Sequence, residues 1–509
     1  MSFKSKVVFK QYSPNQMMLL PPSLEELIPQ AHSARIVNEV IEKIDLEPLL
    51  KKFKGGGTSS YHPKMLLKVL VFSYLNNIYS SRKMESAVKE NIPFMWLAGM
   101  SQPDHNTINR FRSDRLKDVL KQVFKQIVLL LSEAGLVDLK EVYIDGTKIE
   151  ANANRYTFVW GNSIKTSKER ITKQLDELWK YAQTIAAEEL KDTISPEFKK
   201  IDAEKVKQTI EKIDEALKDK PVNKKVKQKL NYAKKNWPEN LKKYEQQKEN
   251  LNGRNSYSKT DKDATFMRMK DDYMQNGQLK PGYNWQISTN SQIITNYTIH
   301  HNPTDTTTLI PHIEEHKNLY GKTPGTVTAD AGYGSEENYE YLEQNNVEAY
   351  VKYNYFHLEQ KQKEPNPFSS ENLYYNKDKD CYYCPMGQQM QKVGEIKRIT
   401  DNGYQQTYKI YQAKNCNGCP LRGSCHKAKG NRKIQVNHRL QELKAKARKN
   451  LLSKQGIYHR KKRPADVEAV FGNIKGNYGF KRFMLRGKNK VEIEAGLLAI
   501  AHNLRKMAA

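Results

Sequence analysis

The chain has 509 residues, and its 85 Lys and Arg against 57 Asp and Glu give a formal net charge of +28. This length favours roughly three domains, and the positive charge favours a polyanionic partner, with nucleic acid ahead of a membrane surface. No run reaches the ~18 consecutive apolar residues of a spanning helix, so a transmembrane helix is not expected. The opening stretch MSFKSKVVFKQYSPNQ lacks the apolar core of a signal peptide, so we expect a cytoplasmic protein.

Residues 1–136 are predicted to form an N-terminal helical domain. The pattern is helical from His62 onward, and Asp104 precedes a short helix as its candidate N-cap. In that helix Arg110 and Arg112 are expected to point outward and to contact DNA. Short helices at close spacing, the last of them rich in arginine, are typical of a helix-turn-helix module. The alternative is an ordinary helical bundle with a solvated basic face.

Residues 137–160 contain the stretch EVYIDGT, in which an aspartate follows a short apolar strand. The strand is expected to end near Ile144, so that Asp145 and Gly146 form a turn. The second interpretation is a carboxylate that a rigid strand holds at the edge of a site. This stretch alone leaves both open.

Residues 161–255 are rich in Lys and are predicted to be a helical insertion. Apolar residues recur at steps of three and four in three short segments, which Pro196 and Pro221 separate. This spacing predicts antiparallel helices with one narrow apolar seam. The seam positions are Ile171, Leu175, Leu178, Ala182, Ile185, Val206, Ile210, Ile213, Leu217, Val226, Leu230, Ala233 and Trp237. The basic outer faces are either solvated surface or a surface for nucleic acid or a partner.

Residues 256–360 alternate between strand-like and helix-like stretches, which predicts a mixed or parallel sheet covered on both faces. Asp330, in VTADAGYGS, repeats the arrangement at Asp145, with a glycine within two residues. Two such carboxylates at the ends of neighbouring strands would repel each other unless a cation lay between them. Mg²⁺ suits this position, because it binds carboxylates, water and phosphate oxygens. Two such ions stabilise both oxygens of an in-line phosphoryl displacement.

All five cysteines lie in residues 361–440, which are predicted to form a small zinc-binding subdomain. Two Cys-x-x-Cys pairs in one short region are a zinc-ribbon pattern, and a structural zinc would help so polar a segment to fold. The predicted ligands are Cys384, Cys416, Cys419 and Cys425. Cys381 is then a bystander, and His426 stays an open candidate. The alternative is that reduced cysteines pack as small hydrophobic residues.

Residues 441–509 are helical and basic, and they hold a third candidate carboxylate. Glu468 and Lys475 are seven residues apart, so two helical turns place them on one face. Pro464 suits the first turn of this helix. A carboxylate among Arg and Lys would complete a metal site while the cations hold phosphates. The alternative is a glutamate favoured by the dipole at the helix N-terminus.

Together these stretches resemble the DDE transposases of bacterial insertion sequences. The resemblance rests on YIDGTKIEANANRYTFVWG, GYNWQ, NPTDTTTLIPHIE, TADAGYGS and VEAVFGNIKG, and the helical stretch from HPKMLLKVLVF to NTINRFR is similar to the N-terminal domain of that family. It spans most of residues 20–505 and is closest in character to the insertion-sequence group numbered eleven-eighty-two.

The resemblance implies an α/β fold: a ribonuclease-H-like mixed-sheet core with an N-terminal all-helical domain, a helical insertion and a small Cys-rich zinc subdomain. It also implies that Asp145, Asp330 and Glu468 bind two Mg²⁺ or Mn²⁺ ions at the active site. Similar transposases carry a comparable cysteine cluster, which supports the zinc ligand set.

The resemblance further implies cations around the glutamate. In many related transposases Tyr, Arg and Lys stand at fixed spacings from it. Lys475 fits this pattern, whereas Pro464 occupies the expected arginine position, and Arg463 and Tyr458 are displaced substitutes. Lys475 and Arg463 would hold DNA phosphates, which positions DNA without reading its sequence.

The predicted function is that of a DNA transposase, which binds the terminal inverted repeats of an insertion sequence and catalyses metal-dependent strand cleavage and strand transfer. Double-stranded DNA is the expected partner. Because two DNA ends must be brought together, the resemblance implies a homodimer on DNA. The alternatives are a nuclease that cuts without joining and a non-catalytic, zinc-containing DNA-binding protein.

Overall fold

The computed structural model describes residues 23–53, 60–188, 190, 202–269, 277–361, 366–400 and 402–508, and Pro196 lies outside these ranges. The described residues divide into two compact units. The first holds the residues up to Val119 together with those from Asn503 onward, and the second is Leu120–His502. Across these ranges, no helix has both the length and the apolar character needed to cross a membrane.

The first unit is helical, as the sequence predicts. It contains α1 (Ser33–Glu42), α2 (Glu47–Leu50), α3 (Pro63–Leu75), α4 (Ser81–Glu90), α5 (Ile92–Leu97), α6 (His105–Arg110) and a π-helical turn (Phe111–Arg115). Pro63 begins α3, where its missing N–H costs nothing, and most residues of this helix are buried. Asp104 caps α6, because its side chain accepts a hydrogen bond from the Thr107 N–H at 2.8 Å.

The second unit begins with α7 (Leu120–Glu133), which the sequence assigns to the preceding domain. The chain then forms β1 (Glu141–Glu150), β2 (Phe158–Trp160), α8 (Gly161–Ile185), α9 (Ala203–Ala216), α10 (Lys224–Leu251) and β3 (Ser256–Ser258). It continues through β4 (Thr265–Arg268), β5 (Leu279–Asn290), β6 (Ile293–His300), α11 (Leu309–Tyr320), β7 (Thr326–Ala329), a 3₁₀ turn (Ala331–Tyr333), α12 (Glu336–Gln344), β8 (Glu348–Val351) and α13 (Phe356–Lys361).

Six strands form a mixed sheet, which confirms that prediction. Their order is β4-β5-β1-β7-β8, and β6 also pairs with β5. Strand β5 is antiparallel to β1, whereas β1, β7 and β8 are parallel. Apolar residues of β1 and β7 join those of α11 and α12 in one buried core. The central strands are therefore held rigidly from one side by helices.

Helices α8, α9 and α10 form the insertion. The predicted seam residues all belong to one apolar cluster, and of these seam residues only Ile185 and Val226 are partly rather than fully buried. Steps of three and four place these residues on one face of each helix. Helices α8 and α10 have 25 and 28 residues, so they are longer than the predicted short helices, and α10 continues through Pro238.

The cysteines lie in and beside a second sheet, which is antiparallel. Its strands are β9 (Tyr375–Asn376), β10 (Cys381–Tyr383), β11 (Gln389–Ile399), β12 (Gln405–Ala413) and β13 (Lys433–Val436), and α14 (Arg422–Cys425) precedes β13. The chain ends with α15 (His438–Leu452), α16 (Lys454–Arg463), a π-helical turn (Pro464–Glu468), α17 (Ala469–Gly472), a further π-helical turn (Asn473–Asn477) and α18 (Lys488–Met507).

Candidate active site

Asp145 lies in the middle of β1 rather than at its end. The strand continues to Glu150, and Asp145 pairs with Ile287 of β5. The expected turn at Asp145 and Gly146 is therefore wrong, and Gly146 lacks the positive φ of such a turn. The structure has the second arrangement, a carboxylate on a rigid strand, and the Asp145 side chain is only 9% exposed.

Gly146 is required for close packing. It lies opposite Gln286 of β5. A Cβ atom on residue 146 would be 2.1 Å from Nε2 of Gln286 and 2.7 Å from Oδ1 of Asp305. Both distances are far below van der Waals contact, so any other residue here would displace these two side chains.

Asp330 directly follows β7, the parallel neighbour of β1. Tyr143 of β1 pairs with Thr328 of β7. Asp145 lies two residues after Tyr143, and Asp330 lies two residues after Thr328. Because side chains alternate along a strand, this register directs both carboxylates to the same face. Oδ1 of Asp330 accepts a hydrogen bond from the Gly332 N–H at 2.8 Å, which caps the 3₁₀ turn after β7.

Glu468 ends the π-helical turn that follows α16. The Ala469 N–H donates to the Pro464 carbonyl, which is an i→i+5 bond. In a regular α-helix residues three or four apart share a face, and the extra residue of the π turn shifts this spacing to five. Arg463, which the sequence treats as displaced by one position, therefore reaches Glu468, with Nη1 2.6 Å from Oε1.

The helical segment that carries Glu468 is anchored on the sheet at two points. The Tyr143 hydroxyl of β1 is hydrogen-bonded to Nδ1 of His459 in α16, at 3.0 Å. Asp466 is buried and accepts hydrogen bonds from the Thr289 hydroxyl at 2.6 Å and the Gln292 N–H at 3.1 Å. These contacts tie the π turn to the β5–β6 hairpin and fix its position relative to β1.

The guanidinium of Arg463 lies among all three predicted acidic residues. Its Nη2 is 3.0 Å from Oδ1 of Asp145 and 3.9 Å from Oδ2 of Asp330, while Nη1 pairs with Glu468. The Arg463 side chain is 5% exposed, whereas those of Asp330 and Glu468 are 39% and 49% exposed. Three carboxylates thus converge on one buried cation, which offsets their mutual repulsion. In the described part of the chain, the buried Nε of Arg463 has no hydrogen-bond partner.

The three carboxylates offer only oxygen donors, which is the chemistry that Mg²⁺ and Mn²⁺ prefer. Among the residues that the structure describes, no group of three or more His, Cys, Asp or Glu side chains is already arranged to hold a metal ion. The positive charge between the carboxylates is that of Arg463. The donor chemistry therefore fits a divalent cation, and binding it would require the ion pairs of Arg463 to rearrange.

Two further residues beside the site are missed by sequence reasoning. Asp305, between β6 and α11, accepts hydrogen bonds from the side-chain amides of Asn284 and Gln286 at 2.7 and 2.8 Å. Lys352 directly follows β8. The signals were present: GYNWQ places two amides on one face of a strand, and Lys352 follows the next parallel strand after that of Asp330.

Lys352 adds a cation to the surroundings of the three carboxylates. Burial lowers the pKa of Lys352, and the charge of Arg463 lowers it further, whereas Asp330 and Glu468 act in the opposite direction. The ammonium group is thus within electrostatic reach of both of the more exposed carboxylates.

Lys475 and Tyr458 are the two remaining residues predicted to act near Glu468. Lys475 is half-buried in the π turn Asn473–Asn477, so the seven residues after Glu468 do not make two regular α-helical turns. Tyr458 is 55% exposed on α16. The roles of both residues stay predictions.

The two arginines predicted to contact DNA differ in exposure. Arg110 is exposed at the end of α6. Arg112 is buried, and its guanidinium donates to the Tyr74 hydroxyl at 3.1 Å, the Tyr79 carbonyl at 2.7 Å and the Asn109 side chain at 3.0 Å. The expected outward orientation of Arg112 is therefore wrong, because Arg112 lies in the π-helical turn after α6, where regular helical spacing no longer holds.

The four predicted zinc ligands and His426 line one cavity of about 310 Å³; the four are Cys384, Cys416, Cys419 and Cys425. Cys381 is buried in β10 and is not among the lining residues. The Arg432 N–H donates to Sγ of Cys416 at 3.4 Å, and Nη1 of Arg432 donates to Sγ of Cys425 at 2.9 Å. Both ring nitrogens of His426 are buried without a hydrogen-bond partner among the described residues. The thiols share a cavity, but their arrangement is not that of a formed metal centre.

Two family models match the chain, one towards each end. The model described as Transposase domain (DUF772) matches residues 22–114, and the model described as Transposase DDE domain matches residues 383–508. Glu468 and Arg463 lie in the second range, whereas Asp145 and Asp330 lie between the two. No curated protein and no solved structure matches the chain. The two matches indicate a transposase and support one of the DDE type.

Proposed function

We propose that this chain is a DDE transposase that binds the terminal inverted repeats of an insertion sequence and catalyses metal-dependent cleavage and transfer of DNA strands. The observation that carries the proposal is the convergence of Asp145, Asp330 and Glu468 on Arg463. We further propose that the core is ribonuclease-H-like and that the chain is similar to the insertion-sequence group numbered eleven-eighty-two. The mixed sheet supports the proposed core, because Asp145 lies on β1 and Asp330 directly follows β7, the parallel neighbour of β1.

Asp145, Asp330 and Glu468 would hold two Mg²⁺ or Mn²⁺ ions. When bound, such ions activate the attacking oxygen and stabilise the leaving oxygen of an in-line displacement at phosphorus. Asp145 contributes a carboxylate fixed by a central strand, since it is buried within β1. Asp330 and Glu468 are more exposed, so they are the carboxylates that a DNA strand can approach.

The cations of the chain would bind and position DNA. Arg463 is the first candidate, because its guanidinium lies among the three carboxylates of the proposed site, and Lys475 is the second candidate of the same helical region. Arg110, exposed on the first unit, would contact the inverted repeat, whereas buried Arg112 is left out of this proposal. The net charge of +28 supports tight, salt-dependent DNA binding. We propose a homodimer on DNA, acting in the cytoplasm at the nucleoid.

The proposal is tested by incubating the purified protein with a pre-cleaved element end, a supercoiled target plasmid and Mg²⁺. Inverted repeats that flank the coding sequence supply the sequence of the end. A covalently joined product is expected. Nicked or linear plasmid without joining would instead indicate a nuclease, and shifted but intact DNA would indicate a non-catalytic DNA-binding protein.

We also propose a structural zinc ion in the Cys-rich region, with four cysteine ligands: Cys384, Cys416, Cys419 and Cys425. The support is that the four thiols line one cavity and that Arg432 donates N–H groups to two of the sulfur atoms. N–H donors to the ligating atoms are a common feature around bound metal ions. His426 is the alternative fourth ligand, because its ring nitrogens are buried and unpartnered within the described chain.

Elemental analysis of the purified protein is expected to find about one zinc ion per chain, as in a four-ligand structural site. Cys416→Ser should lose the ion and unfold at a lower temperature, because metal binding contributes directly to folding. Cys381→Ser is the control and should keep the ion. Comparison of Cys384→Ser with His426→Ala identifies the fourth ligand. If the protein contains no zinc and is as stable as protein treated with zinc, the proposed zinc site is wrong and the cysteines pack as small hydrophobic residues.

A further inference from the structure

A fourth carboxylate approaches the two aspartates of the proposed site from the connection between β6 and α11. The side chain of Asp305 lies next to two glycines. Gly146 directly follows Asp145, and Gly332 lies two residues after Asp330. A Cβ atom on Gly146 would be 2.7 Å from Oδ1 of Asp305, and a Cβ atom on Gly332 would be 3.5 Å from Oδ2. Neither glycine has a positive φ. Gly146 therefore leaves room for the Asp305 carboxylate beside the backbone that carries Asp145, and Oδ2 of Asp305 faces the turn that follows Asp330.

The orientation of Asp305 is fixed by buried amides. Asn284 and Gln286 are fully buried on β5, and both donate to Oδ1 of Asp305, at 2.7 and 2.8 Å. The Gln286 amide is fixed in turn, because its nitrogen also donates to Oδ1 of Asn284 at 3.0 Å and its oxygen accepts from the Tyr333 hydroxyl. Buried amides cost free energy unless they are satisfied, so this network holds one carboxylate oxygen in place.

Tyr333 keeps this network in one arrangement. Burial raises the pKa of Tyr333 well above its ordinary value, and the nearby charges of Asp305, Asp145 and Asp330 raise it further. The hydroxyl therefore stays protonated and donates to the oxygen of Gln286, which leaves the Gln286 nitrogen to face Asp305. Both donors to Asp305 are neutral amides, so its negative charge is added to the site without being cancelled by them.

We propose that Asp305 is a positioning residue of the phosphoryl-transfer site: Oδ2 accepts a hydrogen bond from a water ligand of a divalent cation bound by Asp145 and Asp330. The inference rests on the proposed function. Oδ1 is engaged by two amides, and Oδ2 faces the Gly332 turn that Asp330 caps. Carboxylates that act on a metal through its ligands alter metal affinity about 10- to 100-fold.

The test is Mn²⁺ binding to the full chain without DNA, measured by electron paramagnetic resonance for the parent and for Asp305→Asn. Asparagine keeps an oxygen for the two amide donors and removes the charge. We expect Mn²⁺ to bind at least about tenfold more weakly, and the Mg²⁺ concentration for half-maximal strand joining to rise by a similar factor. Unchanged Mn²⁺ affinity in Asp305→Asn would overturn the proposal.

Glu336→Gln is the matched control. Glu336 is also a buried carboxylate that accepts from two side-chain amides, those of Gln406 at 2.9 Å and Asn437 at 2.6 Å. It should lose comparable stability and keep the parent's Mn²⁺ affinity. Asp305→Ser provides a second variant without the charge. If both Asp305 variants fail to fold while Glu336→Gln folds, Asp305 is a folding residue and the proposal is overturned.

The outcome for the parent separates this inference from the proposed function. A parent that neither binds Mn²⁺ nor joins DNA contradicts the proposed function itself. A parent that does both, with an Asp305→Asn variant of equal Mn²⁺ affinity, contradicts only the role of Asp305.

Discussion

Replacing Asp145 with asparagine is expected to lower strand cleavage and strand joining by at least about 10³-fold. The change would remove a proposed ligand of the divalent cation, and such an ion stabilises the transition state by several kcal/mol. Asparagine has nearly the same size, so β1 should stay intact, and Arg463 keeps its 2.6 Å pair with Glu468. We expect the free energy of unfolding to fall by only about 1–3 kcal/mol. Single-turnover joining of a pre-cleaved end measures the first effect, and urea unfolding measures the second.

Asp261→Asn is the control for the loss of a buried carboxylate. Asp261 is 3% exposed and accepts hydrogen bonds from the Tyr283 hydroxyl at 3.0 and 2.9 Å. Tyr283 pairs with Ile149, four residues further along β1 than Asp145. This variant should be less stable and yet join DNA at the parent's rate. Asp145→Asn protein that joins DNA normally would exclude Asp145 as a metal ligand.

Sequence spacing predicts those parts of the fold that depend on local periodicity. The seam of α8, α9 and α10 is an example, because burial along a helix follows residues three and four apart. The course of β1 through Asp145 is not predicted, since an aspartate followed by a glycine is typical of a turn. The glycine is there because Gln286 and Asp305, which are distant in the chain, pack against it. Such a contact has no local signature.

Two departures from the predicted site have a common cause. Arg112 turns inward and Arg463 reaches Glu468 because each lies in or beside a π-helical turn, Phe111–Arg115 in one case and Pro464–Glu468 in the other. Regular α-helical spacing predicts that Arg112 points outward and that Arg463 is displaced from the arginine position expected near Glu468. One extra residue in a turn changes the face on which a side chain lies. The hydrophobic pattern of the sequence does not reveal a π-helical turn, because the formation of such a turn depends on how the helix packs against its neighbours.

The convergence of the acidic residues was nonetheless foreseeable. Asp145 and Asp330 come from strand-like stretches, and adjacent parallel strands bring them to the same face. What sequence reasoning did not supply is that Arg463 is the cation between them in the folded chain. Arg463 serves as the counter-ion in the folded chain, so the proposed metal ions would compete with this arginine for the same carboxylates.

Replacing Arg463 with methionine is therefore expected to lower the free energy of unfolding by about 3–5 kcal/mol in metal-free buffer. The change removes the guanidinium that pairs with the buried carboxylate of Asp145. Removing only one partner of a buried ion pair is strongly destabilising, because the remaining charge is left uncompensated. Urea unfolding in the presence of a chelator measures this loss. Arg439→Met is the matched control: Arg439 is 44% exposed and pairs with Glu340 and Glu343, and exposed pairs contribute about 1 kcal/mol or less.

Added Mg²⁺ should restore much of the stability that Arg463→Met loses, because a divalent cation can take the place of the guanidinium among the carboxylates. An ion that binds only the folded chain contributes about 2.7 kcal/mol at a hundredfold excess over its dissociation constant. The parent should gain less from Mg²⁺, since its arginine already neutralises Asp145, and Arg439→Met should respond as the parent does. Equal Mg²⁺ stabilisation of parent and Arg463→Met would place the ion away from Arg463. A variant as stable as the parent without metal would show that the three carboxylates do not depend on this arginine. Competition between guanidinium and metal makes the Mg²⁺ response, rather than stability alone, the decisive measurement of whether Arg463 stands at the metal site.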